Sequence, residues 1–348
     1  MTRQTQQTRI FFALVRKLEP DLRRAFEAAV ADLRGGIDWP ALLDALRNNR
    51  IEAAIDALNI EPAVFQRYAA LQTSIFEAAG AATVASINLP GLVSAAVRFD
   101  MTNPGAERWI AENVGTQITR ITADQVQLAR QVILEGYQAG QGPQNIAVDL
   151  VGRVQNGVRQ GGVIGLDAPR ADRLLKVTEA IKSAEGVRSL VIKRADGTLA
   201  VKYKVNKTTE AAILKAYRQG IAVPAAAQRR LMAQYSNRLL KERAETVARF
   251  ETAQSVMGAR RQAWAQLLAK RNIPPEAVGK RWVHGAGVKE PRPHHVAMSG
   301  TVVTGIDTPF TFSNGAVMQY AHDPAAPLSE TVLCGCNTEY FILPGWKL

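Results

Sequence analysis

The chain has 348 residues, 47% hydrophobic and 21% charged, which excludes a wholly disordered polymer and leaves room for two or three domains with their own cores. Its two cysteines exclude a disulfide-stapled secreted scaffold and suit a reducing compartment. The formal net charge is +12, and residues 201–280 hold 16 Lys or Arg against 5 Asp or Glu. Nearly all of the excess therefore sits in one segment, the electrostatic footprint expected of a chain that meets a polyanion or an acidic protein surface.

The N-terminal hundred residues read as helices. The apolar run Ile10–Val15 is too short for a secretory signal and is closed by Arg16-Lys17. Leu22, Phe26, Val30 and Leu33 recur at helical spacing. Gly35-Gly36 ends that helix, and Asp38-Trp39-Pro40 opens the next, with Asp as cap and Pro in the first turn. Phe65, Tyr68, Leu71 and Ile75 make a further apolar stripe. The uncharged stretch Ala78–Val97 has the length of a membrane span. Being Ala/Gly/Ser-rich and containing Asn88 and Pro90, it reads as a buried or flexible segment, so no membrane partner is expected.

A second helical section follows the loop at 101–105. Thr122-x-x-Gln125 has capping-box spacing, with Val126, Ala129, Ile133 and Tyr137 on one face. Gly140-Gln141-Gly142-Pro143 breaks it, a short helix carries Ile146 to Val154, and the glycines at 157, 161, 162 and 165 read as a loose connection. Near 189–205 the period changes to that of strands. Leu190-Val191-Ile192 and Leu199–Val205 flank Ala195-Asp196-Gly197-Thr198, a hairpin signal. Its Lys193, Arg194, Lys202 and Lys204 make it a basic finger. Pro224 to Arg271 is helix-friendly without an internal Pro, and Arg230, Arg238, Lys241 and Arg249 fall within about a third of the circumference. These eight cations are the candidate contacts for DNA or another polyanion.

Residues 280–343 are short β-type runs between turns: Thr301-Val302-Val303, Phe310-Thr311-Phe312, Thr331-Val332-Leu333 and Tyr340-Phe341-Ile342, with a turn at Asn314-Gly315. All four histidines (His284, His294, His295, His322) and both cysteines (Cys334, Cys336) lie within one window of 53 residues. Zinc takes thiolates and imidazoles in a tetrahedral shell, and in an extended strand Cys334 and Cys336 would face the same way. His295 and His322 are the natural partners, with His294 and His284 in reserve. The bland alternative makes the cysteines small core residues and the histidines turn caps. A disulfide between residues two apart would be strained.

Trp282, Arg292-x-x-His295, Met298-Ser299-Gly300 and the closing Cys334-Gly335-Cys336 resemble, in that order, the tailed-phage minor head protein family, the head-morphogenesis proteins similar to the F protein of phage Mu. Upstream, Arg243-Ala244-Glu245-Thr246-Val247-Ala248-Arg249-Phe250-Glu251 is similar to that family's Arg-Ala-x-x-Ile-Ala-Arg-Thr-Glu signature, with Phe250 in place of Thr, and Gly140–Leu150 resembles a further segment. The family's usual Asn-Cys-Arg-Cys ending stands here as Leu333-Cys334-Gly335-Cys336. The resemblance spans roughly residues 105–343. It implies a minor capsid component at the portal vertex, in the capsid interior, acting in head assembly and in DNA packaging or ejection. The implied partners are the portal protein, the major capsid or scaffolding protein and non-specific double-stranded DNA, with the host cytoplasm as the place of assembly.

Two other classes compete with that reading. A metal-dependent phage nuclease would use His294 or His295 as base and Asp323 as a ligand, but paired carboxylates for Mg²⁺ are absent from 284–336. A pure interaction protein would turn its basic segment toward an acidic portal or scaffold surface. The expectation is a non-enzymatic α+β protein. It has predominantly helical N-terminal (1–100) and central (101–279) regions, a β-hairpin inserted at about 189–205, and a small β-rich C-terminal module (280–348).

Overall fold

A computed structural model describes residues 4–87, 98–155, 157–285 and 290–346. Asn88 and Pro90 lie outside the described residues. Helix α1 (Gln6–Gly35) runs straight through Pro20 and buries Phe11, Val15, Leu22, Phe26, Val30 and Leu33 on one face. Asp38 caps α2 (Trp39–Arg47), its carboxylate accepting from the Ala41 amide at 3.0 Å. After α3 (Ile51–Asp56) and a 3₁₀ turn at Pro62–Phe65 comes α4 (Gln66–Ser86), which buries Tyr68, Ile75 and Phe76.

The second helical section starts earlier than the capping-box spacing suggests. Asn103 caps α5 (Pro104–Ile110), with Pro104 in its first turn, and a π-helical turn (Ala111–Gly115) joins it to α6 (Thr116–Gln138). Thr122 and Gln125 are thus interior. Thr122 bonds the Thr119 carbonyl, and Gln125 spans Leu166 O (2.8 Å) and Gly165 N (2.6 Å). A helix already nucleated at Asn103-Pro104 has no use for a second start.

Helix α7 (Pro143–Val151) stops at Gly152, three residues before the expected end. The glycine-rich stretch is not a loose connection: β1 (Arg153–Gln155) and β2 (Val158–Gln160) pair antiparallel, and Val163, Ile164 and Leu166 then enter the core. Gly152 (φ +70°) leaves no room for a side chain, since a Cβ there would stand 2.0 Å from the Gln160 carbonyl oxygen.

Next come α8 (Ala168–Ala180), α9 (Ala184–Leu190), β3 (Val191–Lys193), β4 (Leu199–Val201), α10 (Lys207–Gln219) and the 47-residue α11 (Ala225–Arg271). Strands β3 and β4 form the expected hairpin around Asp196-Gly197, Gly197 taking φ +81°. Two strands alone are marginal. This pair is anchored by buried Ala200 and Val201 of β4 against α10, while β3 also meets α9.

The C-terminal region contains β5 (Val278–Val283), α12 (Pro293–Ala297), β6 (Val302–Thr304), β7 (Phe310–Thr311), β8 (Val317–Met318), α13 (Leu328–Thr331) and β9 (Asn337–Ile342). An antiparallel sheet is ordered β6-β5-β9, and β7 pairs with β8 around Asn314-Gly315. The run Thr331-Val332-Leu333 is not a strand: Thr331 ends α13, and Leu333 turns the chain with φ +56°. Thr331 is buried whereas Leu333 is 58% exposed, so the apolar pattern that suggested a strand has no common buried face.

Fold class is therefore α+β, mostly helical, with small antiparallel sheets and a β-rich C-terminal module. Its compact units are not consecutive stretches. One comprises Met1–Phe26, Gln66–Ile118 and Glu245–Leu348, the other Glu27–Phe65 and Thr119–Ala244. Helices α1, α6 and α11 each contribute to both, which is why no linker-like composition marks the boundaries. The core of the second unit extends from Leu33 and Leu46 through Ile133, Leu150 and Ile164 to Tyr235 and Leu239. In the first, Val84, Trp264, Leu267, Val278, Ile306 and Tyr340 cluster together.

Candidate metal centre

Each residue singled out near the C-terminus has a place in one small scaffold. Trp282, fully buried on the central strand β5, meets His295, Phe310 and Phe312 edge-on, with ring centroids 5.3, 5.3 and 4.9 Å away. Gly300 donates its amide to the Trp282 carbonyl at 2.8 Å and turns the chain into β6 with φ +90°. Arg292 donates to the carbonyls of Ser329 (2.6 Å) and Val332 (2.9 Å). It thereby ties the start of α12, which carries His294 and His295, to the turn that carries the cysteines.

The two cysteines precede β9 rather than lying in a strand, yet their sulfurs converge because Leu333 reverses the chain just before them. His295 Nδ1 lies 3.5 Å from Cys334 Sγ and 3.8 Å from Cys336 Sγ. These three ligand atoms lie within 4.8 Å of one another and all three residues are buried. Opposite, His284 at the end of β5 places Nδ1 3.5 Å from Cys336 Sγ. The Cys336 amide donates to Cys334 Sγ at 3.4 Å, an N–H···S contact that favours the thiolate. A hydrogen bond from Cys336 holds the Cys334 thiol far below its usual range, down to about 3, with burial opposing and His295 assisting. That same bond, together with burial, pushes Cys336 up. A divalent cation bound between the sulfurs would displace their protons.

The far side of His295 is also engaged. Its Nε2 is 2.9 Å from Glu330 Oε2, which His294 Nε2 approaches at 2.7 Å, while Asn314 donates to Glu330 Oε1 at 3.0 Å. Burial raises the Glu330 carboxyl, but these hydrogen bonds outweigh it and hold it low. His294, His295 and Glu330 form a second group with convergent ligand atoms. Sequence reasoning placed no role on Glu330, although it is the only acid between residues 324 and 338.

His322, expected beside His295, is not brought into the set. Its Nε2 bonds the Cys336 carbonyl at 3.0 Å, its Nδ1 is buried with no hydrogen-bond partner, and burial lowers its pKa. No His322 nitrogen stands against either sulfur, whereas His284 Nδ1 reaches Cys336 Sγ. Asp323 is a turn-former, accepting from the amides of Gln319 (2.7 Å) and Ala325 (3.0 Å), and is not aimed at the cluster's sulfurs.

The start of α1 completes this scaffold. The Gln7 side chain makes two bonds to the Tyr340 backbone, its Nε2 donating to the carbonyl at 2.6 Å and its Oε1 accepting from the amide at 3.1 Å. Thr8 donates to Glu339 at 2.6 Å, and Phe11 stacks on His322 with centroids 6.0 Å apart.

The basic footprint divides into surface and interior. Lys193, Arg194, Lys202 and Lys204 on the hairpin are exposed, as are Lys207, Lys215 and Arg218 on α10 and Arg230 and Lys241 on α11. Arg249 is exposed too, but belongs to the other unit. Arg238 is less available: it donates to the Val205 carbonyl at 3.1 Å and lies 3.6 Å from Glu242. Three cations of the segment face inward. Arg243 donates to Gly165 O (2.9 Å), Arg260 to Thr338 O (3.0 Å) and Gln7 O (2.9 Å), and Lys280 to Gln319 O (2.8 Å). Burial brings Arg260 down to about 10 and Lys280 to about 8. A sequence shows charge but not which charges are consumed as carbonyl ties.

A cavity of about 370 Å³ in the second unit is lined by Asp149, Arg153, Lys182 and Arg229 among amide and apolar side chains. Its ionic groups of both signs select no single ligand class. No protein-family model, no curated protein and no solved structure matches the chain. The geometry itself makes the His295, Cys334 and Cys336 cluster one that could hold a metal ion. Among the described residues no helix is long and apolar enough to cross a membrane.

Proposed function

We propose that this chain is a non-enzymatic minor head protein of a tailed double-stranded DNA phage. It sits near the portal vertex in the capsid interior, contacts the portal and the capsid or scaffolding protein, and acts in head assembly and in DNA packaging or ejection. Its C-terminal module is held by zinc. The observation that carries the DNA-contact role is the set of exposed cations on the hairpin and α10. There Lys193, Arg194, Lys202, Lys204, Lys207, Lys215 and Arg218 are all exposed, and none is in an ion pair among the described residues. Cations so placed neutralise phosphate without reading bases. The phage assignment draws on the ordered resemblance around Trp282, Arg292, His295 and Gly300, and is supported by the distinct structural task each of these four performs.

The test is a gel shift with linear duplex DNA over a salt series, with zinc or magnesium added in parallel. Retardation of intact DNA that fades with salt is expected. Replacing Lys193, Arg194, Lys202 and Lys204 by Ala should flatten the dependence of log K on log[salt] by about 0.9 for each phosphate no longer neutralised. Absence of binding at low salt would overturn the DNA role and leave these cations to an acidic protein partner. The His294–His295–Glu330 group favours one second reading, a metal-dependent nuclease. Magnesium-dependent cleavage lost in His294→Ala would put that reading first.

A further inference from the structure

The geometry points to a closed tetrahedral zinc centre made by His284, His295, Cys334 and Cys336, with Glu330 as the residue that positions His295. This inference rests on the zinc reading above and goes beyond it in naming the four ligands, excluding His322, and making the site structural.

The first argument is metric. With Zn–S near 2.3 Å and Zn–N near 2.0–2.1 Å at tetrahedral angles, sulfur and nitrogen ligands lie about 3.5–3.6 Å apart. Three of the four S···N separations fit, at 3.5, 3.5 and 3.8 Å; His284 stands outside the group whose ligand atoms converge within 4.8 Å and would swing in from Cys336 to complete the shell. Thiol–imidazole hydrogen bonds have similar lengths, so what favours an ion is the convergence of soft ligands from three separate chain segments, the end of β5, the short α12 and the turn before β9.

The second argument is the state of His295. A ligating histidine gives its lone pair from one ring nitrogen while the other donates to a carboxylate or carbonyl, which fixes tautomer and ring angle. Here Nε2 faces Glu330 at 2.9 Å and Nδ1 faces both sulfurs. That is the orientation a metal requires, and it is locked by Arg292, which ties α12 to the cysteine turn. The third argument is the amide of Cys336 directed at Cys334 Sγ, which offsets thiolate charge in a buried site. Four protein ligands fill a tetrahedron and leave no position for water or substrate, so the ion holds β5, α12 and the cysteine turn together and performs no chemistry.

The experiment uses the full chain, stripped by chelation and reloaded with Co(II) or Zn(II) alone. Wild type should take up about one ion per chain, and Co(II) should give the intense ligand-field bands of a tetrahedral site with sulfur-to-cobalt charge transfer from two thiolates. His284→Ala should bind at least about tenfold more weakly. His284→Cys should restore binding, with a charge-transfer band strengthened by the third thiolate. His322→Gln should load as wild type does, and Glu330→Gln should weaken binding about 10–100-fold with its bands unchanged. If metal binds but is lost in His322→Gln and kept in His284→Ala, the ligand set is wrong while the zinc reading stands. If folded wild-type protein takes up neither ion and Cys334 is alkylated at the same rate with and without zinc, both fall.

Discussion

Gly258 lies in the middle of α11, where replacing glycine by alanine ordinarily stabilises a helix by about 1 kcal/mol. Here the sign should reverse. A Cβ at Gly258 would stand 2.4 Å from Trp109 Cε2, at least 1 Å inside van der Waals contact. Trp109 has little freedom to yield: it is buried, stacked on Phe76 at 4.5 Å between centroids, and donates its indole N–H to the Tyr320 hydroxyl at 3.1 Å. Overpacking of this kind costs about 1–3 kcal/mol. Loss of the hydrogen bond adds about 1 kcal/mol and disturbance of the stack about 0.5–1.5 kcal/mol. Since not all of these need be lost together, Gly258→Ala should destabilise by about 1–3 kcal/mol net of propensity. Gly115→Ala, where an added Cβ meets nothing within 4 Å, is the control and should be neutral or gain up to about 1 kcal/mol. Urea unfolding followed by tryptophan fluorescence reads both, provided the slopes agree. A Gly258→Ala midpoint at or above wild type would refute the claim that α11 and Trp109 are in direct contact.

Three further outcomes are expected. Glu251, fully buried with Gln117 donating to it, has its carboxyl pushed well above the usual range by burial. The folded chain keeps a proton that the unfolded chain releases above about pH 4.5, so stability falls as pH rises from there. Glu251→Gln should flatten that profile and be the more stable form at pH 8, and an unchanged profile in pH-dependent urea melts would contradict it. Lys280, lowered to about 8 by burial, has the opposite sign, because the unfolded chain binds more protons between about pH 8 and 10.5. Stability should climb across that window by about 3 kcal/mol, and Lys280→Met should remove the climb. Gly300→Ala meets no atom within 4 Å but must adopt φ +90°, so about 1–3 kcal/mol of pure backbone strain should appear in calorimetry of that variant. A loss below about 0.5 kcal/mol would show that the turn relaxes.

Much of the helical body was legible because its signals are local. Asp38, the Gly140–Pro143 break, the 47-residue α11 and the Asp196-Gly197 turn each announce themselves within a few residues. The failures arose where a local signal met a competing one. Thr122 and Gln125 have capping spacing, but Asn103-Pro104 had already started the helix. Thr331-Val332-Leu333 has β-type composition, yet it serves as the turn that delivers Cys334. Concentration of His and Cys after residue 283 located the cluster that could hold a metal ion, but whether His284 or His322 stands against a sulfur depends on how the chain folds back. Nothing in residue spacing carries that information. Glu330 and Gln7 act across 35 and 333 residues of chain respectively, and pairings of that range leave no periodic trace.

Because Gln7 and Thr8 lean on β9, and in sequence Glu27–Phe65 and Thr119–Ala244 alternate with the segments of the other unit, synthesis on the ribosome does not deliver the units one after the other. The inner unit has all of its residues once Ala244 has emerged and can close while translation continues. The outer one must keep α1 and α4 waiting for strands made well over a hundred residues later. For that interval Phe11, Phe26, Tyr68 and Phe76, all buried in the finished fold, lack part of their final cover, and exposed apolar surface of that kind favours aggregation until the chain is complete.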